Sequence, residues 1–196
     1  MGRQIRDRHS EADDRLGRRR VKFETLSIEG AYLVELDRHE DDRGFFARSF
    51  CEEEFLANGL VNRFAQSSIS FNARRGTVRG MHFAVAPFAE TKLVRCTAGA
   101  IHDAIIDLRP DSPSYLESFS VELSARNRRA LYIPACIAHG FQALKDESEM
   151  LYMIDRPFAP EAARGVRWND PAIRIEWPEP ITVISQKDLQ FPDWVR

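Results

Sequence analysis

Three of the five histidines, His82, His102 and His139, lie inside apolar runs of strand-like composition, whereas His9 and His39 sit among charges. Imidazole titrates near neutrality, so each of the three is a candidate proton carrier or metal ligand, or else a hydrogen-bonded core residue. His82 has the most informative surroundings, Thr77-Val78-Arg79-Gly80-Met81-His82-Phe83. Arg79 beside a glycine suits anion binding, because a guanidinium grips phosphate bidentately and glycine lets a ligand approach the backbone. A surface ion pair is the other reading of Arg79. Strict strand alternation would put Arg79 and Met81 on one face and Gly80 and His82 on the other.

Further reactive groups follow along the chain. Lys92 opens an apolar strand, Lys92-Leu93-Val94-Arg95-Cys96; its ammonium either snorkels to solvent or enters a cavity and stabilises an oxyanion. Proline ends the run Leu131-Tyr132-Ile133-Pro134, and His139 returns at the start of the next one. Tyr152 is bracketed by apolar residues and is either a hydrogen-bonded structural phenol or a general acid. In Ile184-Ser185-Gln186-Lys187-Asp188, the aspartate either orients a histidine or caps a turn.

These side chains need a scaffold, and the sequence predicts one made of strands. Short runs rich in Val, Ile, Phe and Tyr recur between turn residues at 31–36, 44–49, 64–71, 78–83, 92–97, 100–108, 118–123, 130–133, 140–144 and 150–154. Breakers punctuate them at Arg75-Gly76, Ala98-Gly99 and Pro110-Asp111-Ser112-Pro113. One helix is predicted at Cys51–Asn58, with acids in its first turn and a glycine stop at Gly59. Many short strands with frequent turns predict a mainly β sandwich or barrel, whose mouth can hold a small ligand.

Composition narrows the function classes. The chain has 196 residues with 28 basic and 30 acidic side chains, for a net charge of −2, so no nucleic-acid partner is expected. No apolar run is long enough to span a membrane and no secretory leader is evident, which predicts a cytoplasmic protein without a membrane partner. There is no GxGxxG, no P-loop and no internal repeat. Cys51, Cys96 and Cys136 are odd in number and widely spaced; they read as reduced thiols, mostly buried in the β core. Residues 1–20 hold seven arginines, four acids and four apolar residues. They read as a charged arm, disordered or partner-stabilised, preceding a single domain at 21–196. The arm carries +3, which leaves −5 on the domain.

Taken together, these segments resemble the dTDP-4-dehydrorhamnose 3,5-epimerase family, a branch of the cupins. The resemblance is carried by DDRGFF (41–46), RGTVRGMHF (75–83), KLVRCTAGAIHDAIIDLRPDSPSY (92–115) and ELSARNRRALYIPACIAHGFQAL (122–144). It continues through MLY (150–152), RGVRWNDPAIRIEWP (164–178) and ISQKD (184–188). It implies a cupin-type jelly-roll β fold and a homodimer in which strands of one chain help build the neighbour's core or site. It also implies a nucleotide-diphosphate 4-keto-6-deoxyhexose as substrate, with no cofactor and no metal. The family's catalytic histidine falls on His82, its orienting aspartate on Asp188, its tyrosine acid on Tyr152 and its enolate-stabilising lysine on Lys92. The other cavity histidine falls on His139, the phosphate- and sugar-contacting arginines on Arg43 and Arg79, and a glutamine on Gln66. A body of net negative charge binding an anionic ligand must gather local positive charge, at Arg43, Arg79 and Lys92.

The substrate-contacting shell departs from the family pattern. Arg48 stands where an acid is common, and Ser67-Ser68 replaces a polar run containing asparagine. Pro157-Phe158 replaces paired tyrosines, and His102 replaces a Phe or Tyr. With the proton-transfer residues retained, the expectation is an active epimerase with a changed nucleotide, sugar or number of inverted centres. Two alternatives stand beside it. One is a metal-dependent cupin using His82, His102, His139 and Glu90, although Ala84 breaks the usual HxH pair. The other is a non-catalytic sugar-nucleotide binding protein.

Overall fold

The computed structural model describes residues 21–195; the charged arm at 1–20 lies outside the described residues. The chain runs through β1 (Val21–Thr25), β2 (Tyr32–Leu36), β3 (His39–Asp41), β4 (Gly44–Phe46), α1 (Glu52–Ala57), β5 (Gln66–Asn72), β6 (Thr77–Ala84) and β7 (Lys92–Ala98). It continues with β8 (Ala100–Asp107), β9 (Ser118–Ser124), β10 (Ala130–Ile133), β11 (Ile137–Ala143), β12 (Ser148–Ile154), β13 (Ala163–Gly165), β14 (Val183–Ile184) and α2 (Gln186–Leu189).

Two sheets face each other. The first has the order β1-β2-β10-β7-β12-β5, and the second β13-β6-β11-β8-β9, with β14 pairing in parallel to β6. Alternation along the strands gives each sheet an apolar inner face. Leu33, Val94, Leu131, Ile133 and Met150 of the first meet Ile101, Ile105, Leu123, Ile137 and Phe141 of the second, all of them buried. Every residue of β11 is buried, as befits a central strand covered on both faces. A second apolar cluster, with Met81, Ala104, Ile106 and Ala138, lies on the outer face of the second sheet. It is closed by Val166 and Ile173, with Trp177 and Trp194 packed against it. The architecture is the predicted mainly β, cupin-like jelly roll.

The differences from the predicted elements have local causes. β4 ends at Phe46 rather than Ser49, because Arg48 turns to an ion pair with Glu54 of α1. β11 begins at Ile137 rather than Gly140, since Ile137, Ala138 and His139 already pair with β8. β1 and β3 are not among the predicted strands: β1 pairs along its whole length with β2, and β3, which has no apolar residue, is a strand only through its hairpin with β4. Of the three cysteines, only Cys96 lies in a strand and is fully buried. Cys51 precedes α1, and Cys136 occupies the turn between β10 and β11 at φ 63°.

Candidate active site

Between the two sheets, toward one end, is a cavity of about 360 Å³. The first sheet contributes Gln66, Ser68, Ser70, Lys92 and Tyr152; the second contributes Arg79, His82, His139 and Phe141. Phe158, Arg164 and Lys187 complete the wall. The structure therefore gathers eight of the predicted site residues around one space, and a ninth, Asp188, stands directly behind His82.

A bulge makes this convergence possible. Arg79 pairs with Phe141 and His82 with His139, so β6 spends three residues where β11 spends two. The extra residue breaks the expected alternation. Arg79 and His82 both line the cavity, while Met81 turns into the outer apolar cluster. The bulge depends on two glycines. Gly80 has φ +124°, and a Cβ built on it would lie 2.5 Å from Gly140 Cα and 2.9 Å from the His139 carbonyl oxygen.

α2 brings in the carboxylate. Ser185 caps this short helix by accepting from the Asp188 N–H. One oxygen of the buried Asp188 lies 2.7 Å from His82 Nε2, and the other accepts from the Gly80 N–H at 3.3 Å. Burial pushes this carboxyl up, but the hydrogen bond and charge of His82, the Gly80 N–H and the Ser185 hydroxyl outweigh it and hold Asp188 below the ordinary carboxylate range. With a neutral imidazole donating from Nε2 to an ionised Asp188, Nδ1 carries the lone pair. The His82 ring also packs edge-on with the Phe191 ring, at 5.6 Å between centroids.

A second dyad lies alongside. The buried His139 places Nε2 3.0 Å from both oxygens of Asp103 on β8, and its ring stands edge-on to Tyr152 at 5.9 Å. Asp103 was missed in the sequence, although an acid inside the apolar run Ala100-Ile101-His102-Asp103-Ala104 was a usable signal. Burial, reinforced by the charge of Asp103 and only partly offset by Arg79, pushes the Tyr152 phenol well above its ordinary value. The hydroxyl is therefore a proton source throughout the neutral range.

Lys92 does not snorkel outward: its side chain is only 9% exposed, and its ammonium lies 3.2 Å from Glu90. Arg79 makes no ion pair among the described residues; its Nε donates to Asn72 Oδ1 at 2.8 Å and its Nη2 to the Phe71 carbonyl at 3.2 Å. Gln66 accepts from the Phe158 N–H at 3.3 Å, leaving the Phe158 ring exposed on the rim. Ser70, Arg164 and Lys187 also line the cavity and were not singled out in the sequence. The buried Ser70 hydroxyl has no partner among the described residues.

Three predicted residues do not line this cavity. Arg43 is carried by the β3–β4 hairpin, with its side chain 90% exposed and paired to Asp41. Arg48 pairs with Glu54. His102 projects toward the outer face of the second sheet, where it packs edge-on to Trp177; burial pulls its imidazole below the ordinary histidine value. The four-residue metal set is consequently not assembled, since His102 is elsewhere and Glu90 is engaged by Lys92. Among the described residues, no three His, Cys, Asp or Glu side chains group as a metal site, and no helix is long and apolar enough to cross a membrane.

Comparison with known proteins shows the family to which such a fold belongs. The sequence profile described as dTDP-4-dehydrorhamnose 3,5-epimerase matches residues 25–195. A Sinorhizobium fredii protein named dTDP-4-dehydrorhamnose 3,5-epimerase is 43% identical over 171 residues, covering 87% of this chain and 88% of the relative. The crystal structure of a Bacillus anthracis dTDP-4-dehydrorhamnose 3,5-epimerase with TDP and PPi bound superposes with a TM-score of 0.85 at 37% identity, covering 89% of this chain and 100% of the other. A 3'-monoepimerase from Streptomyces bikiniensis in complex with dTDP-quinovose superposes with a TM-score of 0.79 at 32% identity, covering 86% and 85%.

Proposed function

The chain belongs to the dTDP-4-dehydrorhamnose 3,5-epimerase family, and from that premise we propose that it is an isomerase of a nucleotide-diphosphate-linked 4-keto-6-deoxyhexose, acting at C3, C5 or both in deoxysugar biosynthesis. The observation that carries the reading is the placement of a His–Asp dyad and a partly buried phenol on opposite walls of one cavity. His82 belongs to the second sheet and Tyr152 to the first.

The chemistry needs this arrangement. A 4-keto group acidifies the hydrogens on C3 and C5. Neutral His82 takes one of them through Nδ1, and Asp188 stabilises the imidazolium that forms. Lys92 supplies positive charge where the enolate oxygen develops. Tyr152 returns a proton to the opposite face of the planar carbon, inverting it. Only protons move, so the cycle calls for no electron acceptor. Arg79, with Arg164 and Lys187 at the same cavity, offers cationic partners to the diphosphate, whose remote binding energy positions the sugar.

The same reading makes the protein a cytoplasmic homodimer. Arg43 does not line its own cavity and is displayed with Phe45 and Phe46 on an exposed hairpin. β5 is the edge of its sheet and exposes Ile69 and Phe71. We propose that this hairpin completes the partner's site, which supports the phosphate-contacting role expected of Arg43. Of the substituted positions, Ser68 and Phe158 line the cavity, and they favour a substrate that differs from the family's main one in base, sugar or centres inverted.

The test is deuterium incorporation from deuterated water into 4-keto-6-deoxy sugars linked to thymidine, cytidine, uridine and guanosine diphosphates. Exchange at C3, C5 or both is expected with at least one of them. No exchange with any member of the panel overturns the reading.

A further inference from the structure

Glu90 is the one carboxylate among the residues lining the cavity, and it is not free. Its Oε1 lies 3.2 Å from Lys92 Nζ, with the two side chains 16% and 9% exposed. Four cationic side chains line the cavity (Arg79, Lys92, Arg164 and Lys187), and Lys92 is the buried one. The backbone fixes the pairing. Glu90 and Lys92 flank Thr91, whose N–H donates to Asp155 Oδ1 at 2.8 Å and whose carbonyl accepts from the Asp155 N–H at 3.2 Å. This two-point clamp ties the entrance of β7 to the end of β12. The i, i+2 spacing then turns Glu90 and Lys92 toward the same side.

A lysine ammonium sits on a flexible four-carbon stem, and when buried it is costly unless paired. Stabilising an enolate oxygen demands a donor held to within about 0.5 Å of its productive position. A carboxylate at hydrogen-bond distance meets both needs: it retains the charge inside the cavity and limits the stem to one arrangement. It also offsets part of the cation's field, so the site works with an oriented ion pair rather than a bare cation. We infer that Glu90 is the positioning residue for Lys92. The inference rests on the epimerase reading for its catalytic consequence, but not for the pairing itself.

Two measurements on the full chain test it. In deuterium exchange, Glu90→Ala is expected to lower the rate at saturating substrate by about tenfold, with KM within about twofold. Glu90→Gln, whose amide oxygen still accepts from the ammonium, is expected to lose less than about threefold. In a Lys92→Met background the Glu90→Ala change should add less than about twofold, because the group it positions is gone. An undiminished Glu90→Ala rate, or an equal loss in both backgrounds, overturns the proposal. The second measurement needs no substrate. Competitive acetylation read by mass spectrometry should label Lys92, relative to the exposed Lys22, at least about threefold faster in Glu90→Ala than in the parent, since the paired amine is the protected one. An unchanged labelling ratio overturns the pairing even if no sugar nucleotide in the panel exchanges, a result that by itself counts against the epimerase reading alone.

Discussion

His82 and His139 stand opposite each other in the β6–β11 register, yet each commits its Nε2 to a different carboxylate, Asp188 for one and Asp103 for the other. Adjacent imidazoles are thereby kept in defined orientations without competing for one counter-charge. Only His82 is backed by the segment that also holds the Gly80 bulge, so the two dyads are open to separate testing.

His82→Ala is expected to abolish deuterium exchange at every centre. Asp188→Asn should leave the cavity shape intact while removing the charge that stabilises the imidazolium, lowering exchange by about 10²- to 10⁴-fold. Single-turnover exchange followed by NMR checks both. Wild-type exchange in His82→Ala would remove His82 from the base role.

Tyr152→Phe separates the two half-reactions. Exchange should persist, because the base and the enolate-stabilising group remain, whereas inverted product should fall by about 10²-fold or more. Because burial keeps this phenol protonated, inversion in the parent protein should not lose its acid below about pH 10. Product stereochemistry measured across that range is the check.

Mixing two inactive variants tests the shared site. If the β3–β4 hairpin serves the partner, a co-refolded mixture of Arg43→Ala and His82→Ala chains contains heterodimers with one intact site. Statistical pairing should then restore about a quarter of wild-type activity. Absence of any recovery, with heterodimers present, would place Arg43 in its own chain's site or outside catalysis.

Gly80→Ala should be among the most damaging small substitutions. The new methyl meets the Gly140 backbone in a conformation that side chains rarely adopt, at a cost of about 3 kcal/mol or more. Urea unfolding measures it. A loss below about 0.5 kcal/mol, within the range of ordinary surface changes, would mean that the bulge relaxes freely.

A pH-dependent contribution comes from Asp107. Burial pushes its carboxyl up, but Arg109, Ser112, Ser114 and the Arg109 N–H outweigh burial and hold it at about 2, against an ordinary value of 3.8. A group depressed in this way stabilises the fold fully above its unfolded value and loses that contribution as pH falls through the folded value. Asp107→Asn should therefore cost about 2 kcal/mol or more near pH 6. The difference should shrink between pH 3.8 and about 2. Urea midpoints of both proteins at several pH values test it; a constant difference would contradict the assignment.

How far the sequence disclosed all this depends on the kind of signal. The central strands were legible because alternation and composition agree there; Ala130–Ile133 matches residue for residue. Short pieces such as β13 and β14 have no signature of their own, since they become strands only by pairing with β6. Gln66, Arg79, His82, Lys92, His139 and Tyr152 were named from the sequence and do meet, yet periodicity alone would have separated Arg79 from His82. A bulge is a property of two strands, and one strand's pattern does not contain it. Asp103 and the Glu90–Lys92 pair were obscured for a related reason. A carboxylate within an apolar run or beside a lysine declares a partner only when the neighbouring strand, or the turn that aims it, is in place.

The carboxylate that orients His82 arrives from 106 residues downstream. As the chain emerges from the ribosome, β6 and much of the cavity wall are made long before α2. A nascent or prematurely ended chain thus holds an imidazole with neither its proton-orienting partner nor a complete Gly80 bulge. In order of synthesis, the residues that close the sandwich come before the one that arms the base, which is carried by a four-residue helix.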